Sequence, residues 1–253
     1  MTQNPLPGQD DPQQYQYILT YSNGGHDYFD HFGKLIRHDD RYGNHVDFYY
    51  QHQVADVFHT TLDHIVDSYG QKISFQVGST HYGPSMVITT PNQSQTYIVY
   101  NTEGVQYVIN PLGYKTVFDY ITVPNTVGNV VNKVQYPTGL TTSIKYTTIG
   151  FNTSSGAGYL PVVQDLYHLN IKGNVLTHTQ YVYGSKSAGA TFTGKSGGYV
   201  MSSGTDSLMD SNNTTYLYDT EIRTYNANNQ LTSASNVFYN YLHLPVRKMI
   251  YIV

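Results

Sequence analysis

The sequence predicts an all-β fold of repeated antiparallel β-hairpin units, forming a curved sheet or part of a β-shell. The first observation behind this is a recurring register. Counted from a turn glycine, positions three, five and seven onward carry Val46/Phe48/Tyr50 after Gly43, Ile73/Phe75/Val77 after Gly70, Thr116/Phe118/Tyr120 after Gly113, and Thr142/Ile144/Tyr146 after Gly139. Successive strand side chains point to opposite faces, so each set lies on one side of an extended chain. The second observation is composition: 27 Tyr, 9 Phe and no Trp, with charged residues at only 12%, leave aromatic and β-branched contacts to hold the fold. The third is spacing. Units recurring every roughly 20 to 50 residues stack because none can bury its apolar face alone.

In chain order, residues 1–14 are rich in Pro, Gln and Asp with almost no apolar content, and are expected to be a disordered leader. One domain is expected over 15–253, with the clear repeats at 28–150. Tyr15 to Tyr21 alternates toward Asn23-Gly24-Gly25 and resumes at Tyr28-Phe29, a hairpin with a glycine turn. Gly33-Lys34-Leu35-Ile36 leads to the turn Asp40-Arg41-Tyr42-Gly43, and Asp67-Ser68-Tyr69-Gly70 makes the next. Between them, Val54, Val57, Phe58, Leu62, Ile65, Val66 and Tyr69 fall at helical spacing. The repeat register favours a strand over Leu62 to Val66, with a short helix over 53–60 as the alternative.

Residues 79–130 alternate around Tyr97-Ile98-Val99-Tyr100 and Val105 to Ile109, with turns at Pro91-Asn92 and Glu103-Gly104 and a longer loop from Pro124 to Asn129. Asn110-Pro111-Leu112-Gly113 and Tyr136-Pro137-Thr138-Gly139 then open two copies of one turn-then-strand unit, displaced by 26 residues. Strand character weakens from Gly150 to Gly158 and resumes at Pro161 to Leu169. Gly184 to Asn213 is Ser-, Gly-, Thr- and Asn-rich and reads as a long loop. Strands return at Tyr216 to Tyr218, Ile222 to Tyr225 and Asn236 to Leu244, with a turn at Asn228-Asn229-Gln230. Met249 to Val253 has the look of an interrupted strand.

These turns and strands resemble the RHS or YD-repeat family. Its units run as apolar-x-apolar, a turn with Asp, Asn or Pro and Gly, then Thr-x-Tyr-x-Tyr. The carriers are Gly33 to Asn44, Asn101 to Tyr120 and Val131 to Leu140, with Phe238-Tyr239-Asn240-Tyr241-Leu242-His243-Leu244-Pro245 resembling a further family wording. The repeat-defining residues are Gly43, Phe48, Tyr50, Gly70, Phe75, Gly113, Phe118, Tyr120, Gly139, Ile144 and Tyr146. The resemblance implies a hollow β-shell around a toxic polypeptide, as in polymorphic toxins and the B/C part of Tc toxin complexes. It further implies bacterial origin and partners that are a polypeptide cargo or other RHS chains. The family's self-cleaving core is built around an Asp-Pro-x-Gly turn. Here Asn110 and Tyr136 stand before the prolines, so self-cleavage is not expected.

Several function classes fall away on composition. A net charge of -4 with 13 scattered Lys and Arg offers no nucleic-acid footprint. With no Cys there is no disulfide, thiolate metal site or thiol chemistry. No apolar run approaches the roughly 18 residues of a helical span, and the start lacks an ordinary signal peptide, so secretion would need a specialised system. Sequons such as those at Asn92, Asn152 and Asn213 are what an Asn/Ser/Thr-rich chain contains by chance.

No catalytic constellation emerges, and neither a cofactor nor a metal is expected. His31, His38, His45, His52 and His59 recur at intervals of seven, yet intervening glycine turns exclude the helix that would align them. Asp56, His59, Asp63 and His64 lack a ligand spacing with a known mechanism. Gly-x-Ser-x-Gly is absent, and Asp39-Asp40 reads as turn capping. The function that the resemblance implies is a non-catalytic structural module of a secreted toxin or effector shell that encloses or carries a polypeptide cargo, able to oligomerise through exposed sheet edges. The alternative is a cell-surface or glycan-binding β module using exposed tyrosines, with Tyr97, Tyr100, Tyr107, Tyr120 and Tyr146 as candidates against the plainer reading of cross-strand packing.

Overall fold

The computed structural model describes residues 2–3, 15–51, 61–153, 156–187, 200–201, 217–240 and 242–251. All regular elements among them are β-strands, as the sequence predicts. The chain divides into two compact units, Met1–Tyr114 and Lys115–Val253, where the sequence by itself suggests one domain over 15–253.

The first unit holds β1 (Thr2–Gln3), β2 (Tyr17–Thr20), β3 (His26–Phe29), β4 (Leu35–Asp39), β5 (His45–Gln51), β6 (Thr61–Asp67), β7 (Lys72–Thr80), β8 (Gly83–Thr89), β9 (Gln95–Tyr100) and β10 (Val105–Ile109). Each pairs antiparallel with the strand before it, the meander that short connections dictate. Thr2 and Gln3, expected in a disordered leader, pair with Ile18 and Tyr17. The rest of that leader and the alternative helix over 53–60 lie outside the described residues. Leu62 to Val66 is strand, inside β6.

The two faces of this unit differ in chemistry. Phe48 lies opposite Ile65 and Ile65 opposite Ile73, while Phe75 lies opposite Ile88 and Met86 opposite Ile98. This apolar face is the one the repeat register foretells. Its side chains are half-buried, and Val77 is 58% exposed. The other face carries Tyr28, Arg37 and Asp47 in a row, and His26, Asp39 and His45 in the next. Near-complete burial in this unit is confined to a few residues, among them Ile36, Val87, Val99 and Ile109.

The second unit holds β11 (Lys115–Thr122), β12 (Asn129–Gln135), β13 (Thr141–Thr153), β14 (Gly156–Leu169), β15 (Val175–Tyr183), β16 (Val200–Met201), β17 (Leu217–Asn226), β18 (Leu231–Asn240) and β19 (Pro245–Tyr251). Antiparallel pairs link β11 through β15 in sequence, then β15 to β17, β17 to β18 and β18 to β19. β16 joins β13 in parallel, through Asn152↔Val200 and Thr153↔Met201, so those two residues of the expected 184–213 loop are strand. Residues 188–199 and 202–216 lie outside the described set.

Two further sequence expectations are corrected here. The weakening over Gly150 to Gly158 does not end a strand, because β13 and β14 form one long hairpin with pairs out to Thr153↔Gly156. Pro161 is tolerated within β14 because β15 pairs only with Asp165 to Leu169, so the missing N–H interrupts no second ladder. The strand expected over Asn236 to Leu244 stops at Asn240, where a turn begins.

That turn belongs to a single design used along the chain. In five residues, the first N–H donates to the fifth C=O, and the fourth N–H donates back to the first C=O. It recurs from Asp30, Asp40, Asp67, Thr90, Asn110, Tyr136, Asn170, Asn226 and Asn240. Where the first residue is Asp or Asn, its Oδ1 also accepts from the third and fifth N–H groups, at 2.7 and 2.9 Å for Asp40 and 2.9 and 3.0 Å for Asn170. The fourth residue sits at positive φ, +85° at Gly43 and +82° at Gly139. Gln93, Asn229 and His243 take the same place at 64°, 58° and 61°, which is why a search for glycine misses those copies. Hairpins in a meander close at alternating ends. The turns from Asp40, Asp67 and Thr90 thus share one margin of the first unit, and those from Tyr136, Asn170 and Asn226 share one margin of the second.

Candidate functional site

A second recurring device joins the repeats. Tyr50, on β5, donates its hydroxyl to the Leu35 carbonyl at 2.8 Å, and Tyr146, on β13, donates to the Val131 carbonyl at 2.6 Å. In both, the tyrosine stands seven residues after the turn glycine and its acceptor eight before it. The pairing register shifts immediately before each of them, between Tyr49 and Tyr50 and between Lys145 and Tyr146. The same shift falls between Asp119 and Tyr120. In each case the extra residue lies on the strand that follows, Asp63 on β6, Gln164 on β14 and Asn132 on β12, while the Tyr50 and Tyr146 hydroxyls reach a carbonyl of the strand that precedes, β4 and β12. Val77 occupies that place after Gly70, and β7 runs against β8 without a shift.

Burial pushes the Tyr50 and Tyr146 hydroxyls above the usual phenol range, with the Asp30 carboxylate adding to the effect on Tyr50. Tyr183, which donates to the Val163 carbonyl at 2.7 Å, is pushed up to about 12, chiefly by burial. These groups stay protonated donors, suited to holding strands together. Tyr50→Phe and Tyr146→Phe are each expected to cost about 1–2 kcal/mol, since a carbonyl loses its donor without a change of shape. Urea unfolding followed by tyrosine fluorescence measures this.

The other repeat-defining residues are placed as follows. Gly43, Gly70, Gly113 and Gly139 occupy the positive-φ place of their turns. Phe48, Phe75, Phe118 and Ile144 are half-buried strand residues. Of the tyrosines offered for glycan contact, Tyr97 donates to Gln95 Oε1 at 2.6 Å and meets Tyr82 edge-on at 5.0 Å. Tyr107 donates to the Tyr82 carbonyl at 3.3 Å. Tyr100, Tyr120 and Tyr146 are half-buried strand residues too.

Among the described residues, the histidines spaced by seven do not converge. His31 lies against Phe32, His38 bonds Asp27, and His45 is 3.7 Å from Asp47. His52, Asp56 and His59 lie outside the described residues. His64 bonds Asp63 at 2.6 Å and stacks on Tyr49 at 4.3 Å. Among the described residues no three His, Asp or Glu side chains form a metal-holding group. No helix among them is long and apolar enough to cross a membrane.

Polar chemistry that the sequence does not reveal lies on the more buried face of each unit. In the second unit Asp219 and Asn236 are 0% exposed. Asp219 accepts from Ser185 Oγ at 3.0 Å, from the Lys186 N–H at 3.0 Å, from Ser187 Oγ, and from Asn236 Nδ2 at 2.7 Å. Burial pushes its carboxyl up, but these donors together outweigh it and hold it below the ordinary carboxylate range. Farther along the same strand face, Tyr167, His178 and Tyr225 lie directly opposite one another on β14, β15 and β17. The His178 ring is sandwiched at 4.3 and 5.1 Å, and its Nε2 lies 2.7 Å from Asp165 Oδ1.

In the first unit a cleft of about 440 Å³ is lined by Tyr15, Tyr28, Ile36, Arg37, Asp39 and Asp47. The row Tyr28, Arg37, Asp47 forms its floor across β3, β4 and β5, and Ile36 is the extra residue where the β3–β4 register shifts. Tyr15 meets Tyr28 edge-on at 5.1 Å. Arg37 Nε donates to Asp39 Oδ1 at 2.6 Å, and the Tyr28 hydroxyl donates to Asp39 Oδ2 at 3.1 Å. Asp47 Oδ1 stands 3.8 Å from Arg37 Nη1.

No family model matches the sequence, and no curated protein matches it. Among solved structures the chain is similar to crystal structures of TcdB2-TccC3-Cdc42, of TcdB2-TccC3-TEV and of TcdB2-TccC3 without hypervariable C-terminal region. Identity is 9% in each, with TM-scores of 0.23, 0.24 and 0.22. The matches cover 92%, 92% and 93% of this chain but only 16%, 16% and 17% of those chains. A likeness at that level assigns the chain to no family.

Proposed function

We propose that this chain is a non-catalytic structural module, a run of RHS-like hairpin repeats serving as part of a secreted bacterial toxin or effector shell that encloses or carries a polypeptide. The observation that carries this reading is the repeated pairing of one five-residue turn with one tyrosine-to-carbonyl bond, at identical offsets around Gly43 and Gly139. Such bonds serve to hold a wall together. They fix neighbouring strands and leave the chemistry of catalysis unserved.

Association through strand edges follows from the same reading. Among the described residues β19 pairs with β18 alone, and its Val246 and Ile250 are 54% and 72% exposed. A strand of this kind is a template for a further strand, from another chain or from more of the same polypeptide. Gel filtration with light scattering on the purified chain tests it. Self-association, or capture of added RHS-repeat chains, is the expected result, and a stable monomer that binds neither overturns the shell reading.

A further inference from the structure

We propose that the cleft of the first unit, floored by Tyr28, Arg37 and Asp47 and walled by Tyr15, is a binding site for a neutral pyranose sugar. This goes beyond the shell reading and is independent of it, since a wall can carry a sugar site or lack one.

The inference starts from which polar groups are already used. Both oxygens of Asp39 are occupied, one by Arg37 Nε at 2.6 Å and the other by the Tyr28 hydroxyl at 3.1 Å. Asp39 therefore orients its neighbours. Arg37, which lines the cleft, spends Nε on that bond, its side chain is 40% exposed, and Nη1 approaches Asp47 Oδ1 only to 3.8 Å, which leaves donors to spare. Asp47 has only long approaches, 3.8 Å to Arg37 Nη1 and 3.7 Å to His45 Nε2, which leaves acceptor capacity. The cleft thus presents a donor fork and an acceptor side by side, directly opposite each other on adjacent strands.

Charge decides the class of ligand. An anion drawn to Arg37 would meet the carboxylates of Asp39 and Asp47, and a cation drawn to Asp47 would meet the guanidinium. A neutral group with an acceptor and a donor on adjacent atoms satisfies both residues at once, as vicinal hydroxyls do. The Tyr15 ring supplies the surface on which the C–H face of a pyranose packs, the usual role of an amphipathic aromatic side chain. A cleft of about 440 Å³ lies within the range of small-ligand sites and has room for one or two sugar rings.

The test is a titration of the full chain with methyl glucoside, methyl mannoside and methyl galactoside, followed by NMR shifts. Glucuronate, glucosamine and glutamine serve as anionic, cationic and carboxamide comparisons. Saturable shifts centred on Tyr15, Tyr28, Arg37 and Asp47 with at least one neutral glycoside are expected, weakened about tenfold or more by Asp47→Asn and by Tyr15→Ala, roughly one hydrogen bond or ring contact each. Tyr15 precedes β2 and is outside every strand, so its variant reports on binding even if Asp47→Asn unfolds. Silence with all neutral glycosides, tighter binding of a charged probe or of glutamine, or binding unchanged in both variants overturns the proposal.

Discussion

Replacing Asp219 with Ala is expected to destabilise the second unit by about 3–5 kcal/mol, the largest effect of any single substitution considered. The carboxylate is wholly buried and satisfies two serine hydroxyls, the Lys186 N–H and the Asn236 amide. Truncation takes the acceptor from four donors at once, the fully buried Asn236 amide among them and the other three part-buried, which costs more than the bonds contribute net. Ser187→Ala, which removes one donor and leaves the acceptor well served, is expected to cost about 1 kcal/mol. The Asp219 carboxyl is held below its unfolded value, so its contribution is fully present above about pH 4 and is lost as pH falls through the folded value. Acid titration of stability should accordingly be shallower in Asp219→Ala than in the native chain. An equally steep acid limb in both would remove Asp219 from that role. Urea unfolding at pH 7 and pH 3 measures both quantities.

The second large effect is expected at Gly139. An added Cβ there would lie 2.8 Å from Ile171 Cδ1 and Cγ1 and 3.3 Å from Ile171 Cβ, on a backbone at φ +82°. Gly139→Ala combines the left-handed penalty with a displaced neighbour, about 2–3 kcal/mol in all. At Gly70 the φ is +78° but nothing lies within 4 Å, so Gly70→Ala should cost only the conformational term, about 1 kcal/mol. Gly70→Asn should cost less still, because Asn229 holds the same turn place at φ 58°. Equal losses at Gly70 and Gly139 would show that Ile171 yields freely. Thermal and urea unfolding of the three variants separates these outcomes.

The contrast between those two glycines also shows how far the sequence reaches. The turns at Gly43, Gly70, Gly113 and Gly139 are legible because positive φ selects glycine and the strands that follow alternate. Turns at Pro91-Asn92 and Asn228-Asn229-Gln230 are legible too, but without a glycine at Gln93 and Asn229 they are not recognised as copies of the same unit, and the one at His243 reads as strand. What would have found them is the Asn or Asp three places earlier, present at Asn226 and Asn240 though not at Thr90. The long β13–β14 hairpin was hidden by the glycines at 150, 156 and 158 and by Pro161, residues that local propensity penalises and pairing overrides.

The candidate cleft and the Asp219 cluster were less legible. Tyr28, Arg37 and Asp47 are separated by 9 and 10 residues in sequence and meet only because β3, β4 and β5 pair in one register. Asp219 looks like any surface carboxylate until Ser185, Ser187 and Asn236 close over it.

By itself, then, the sequence determined the strand class, the hairpin repeat and the apolar face, because alternation and turn chemistry are local properties of a few neighbouring residues. Only the tertiary structure decided which tyrosines bond to which carbonyls, which carboxylates are buried, and which charges share a cleft. Those depend on bulges and cross-strand register, where a shift of one residue moves a side chain to the opposite face.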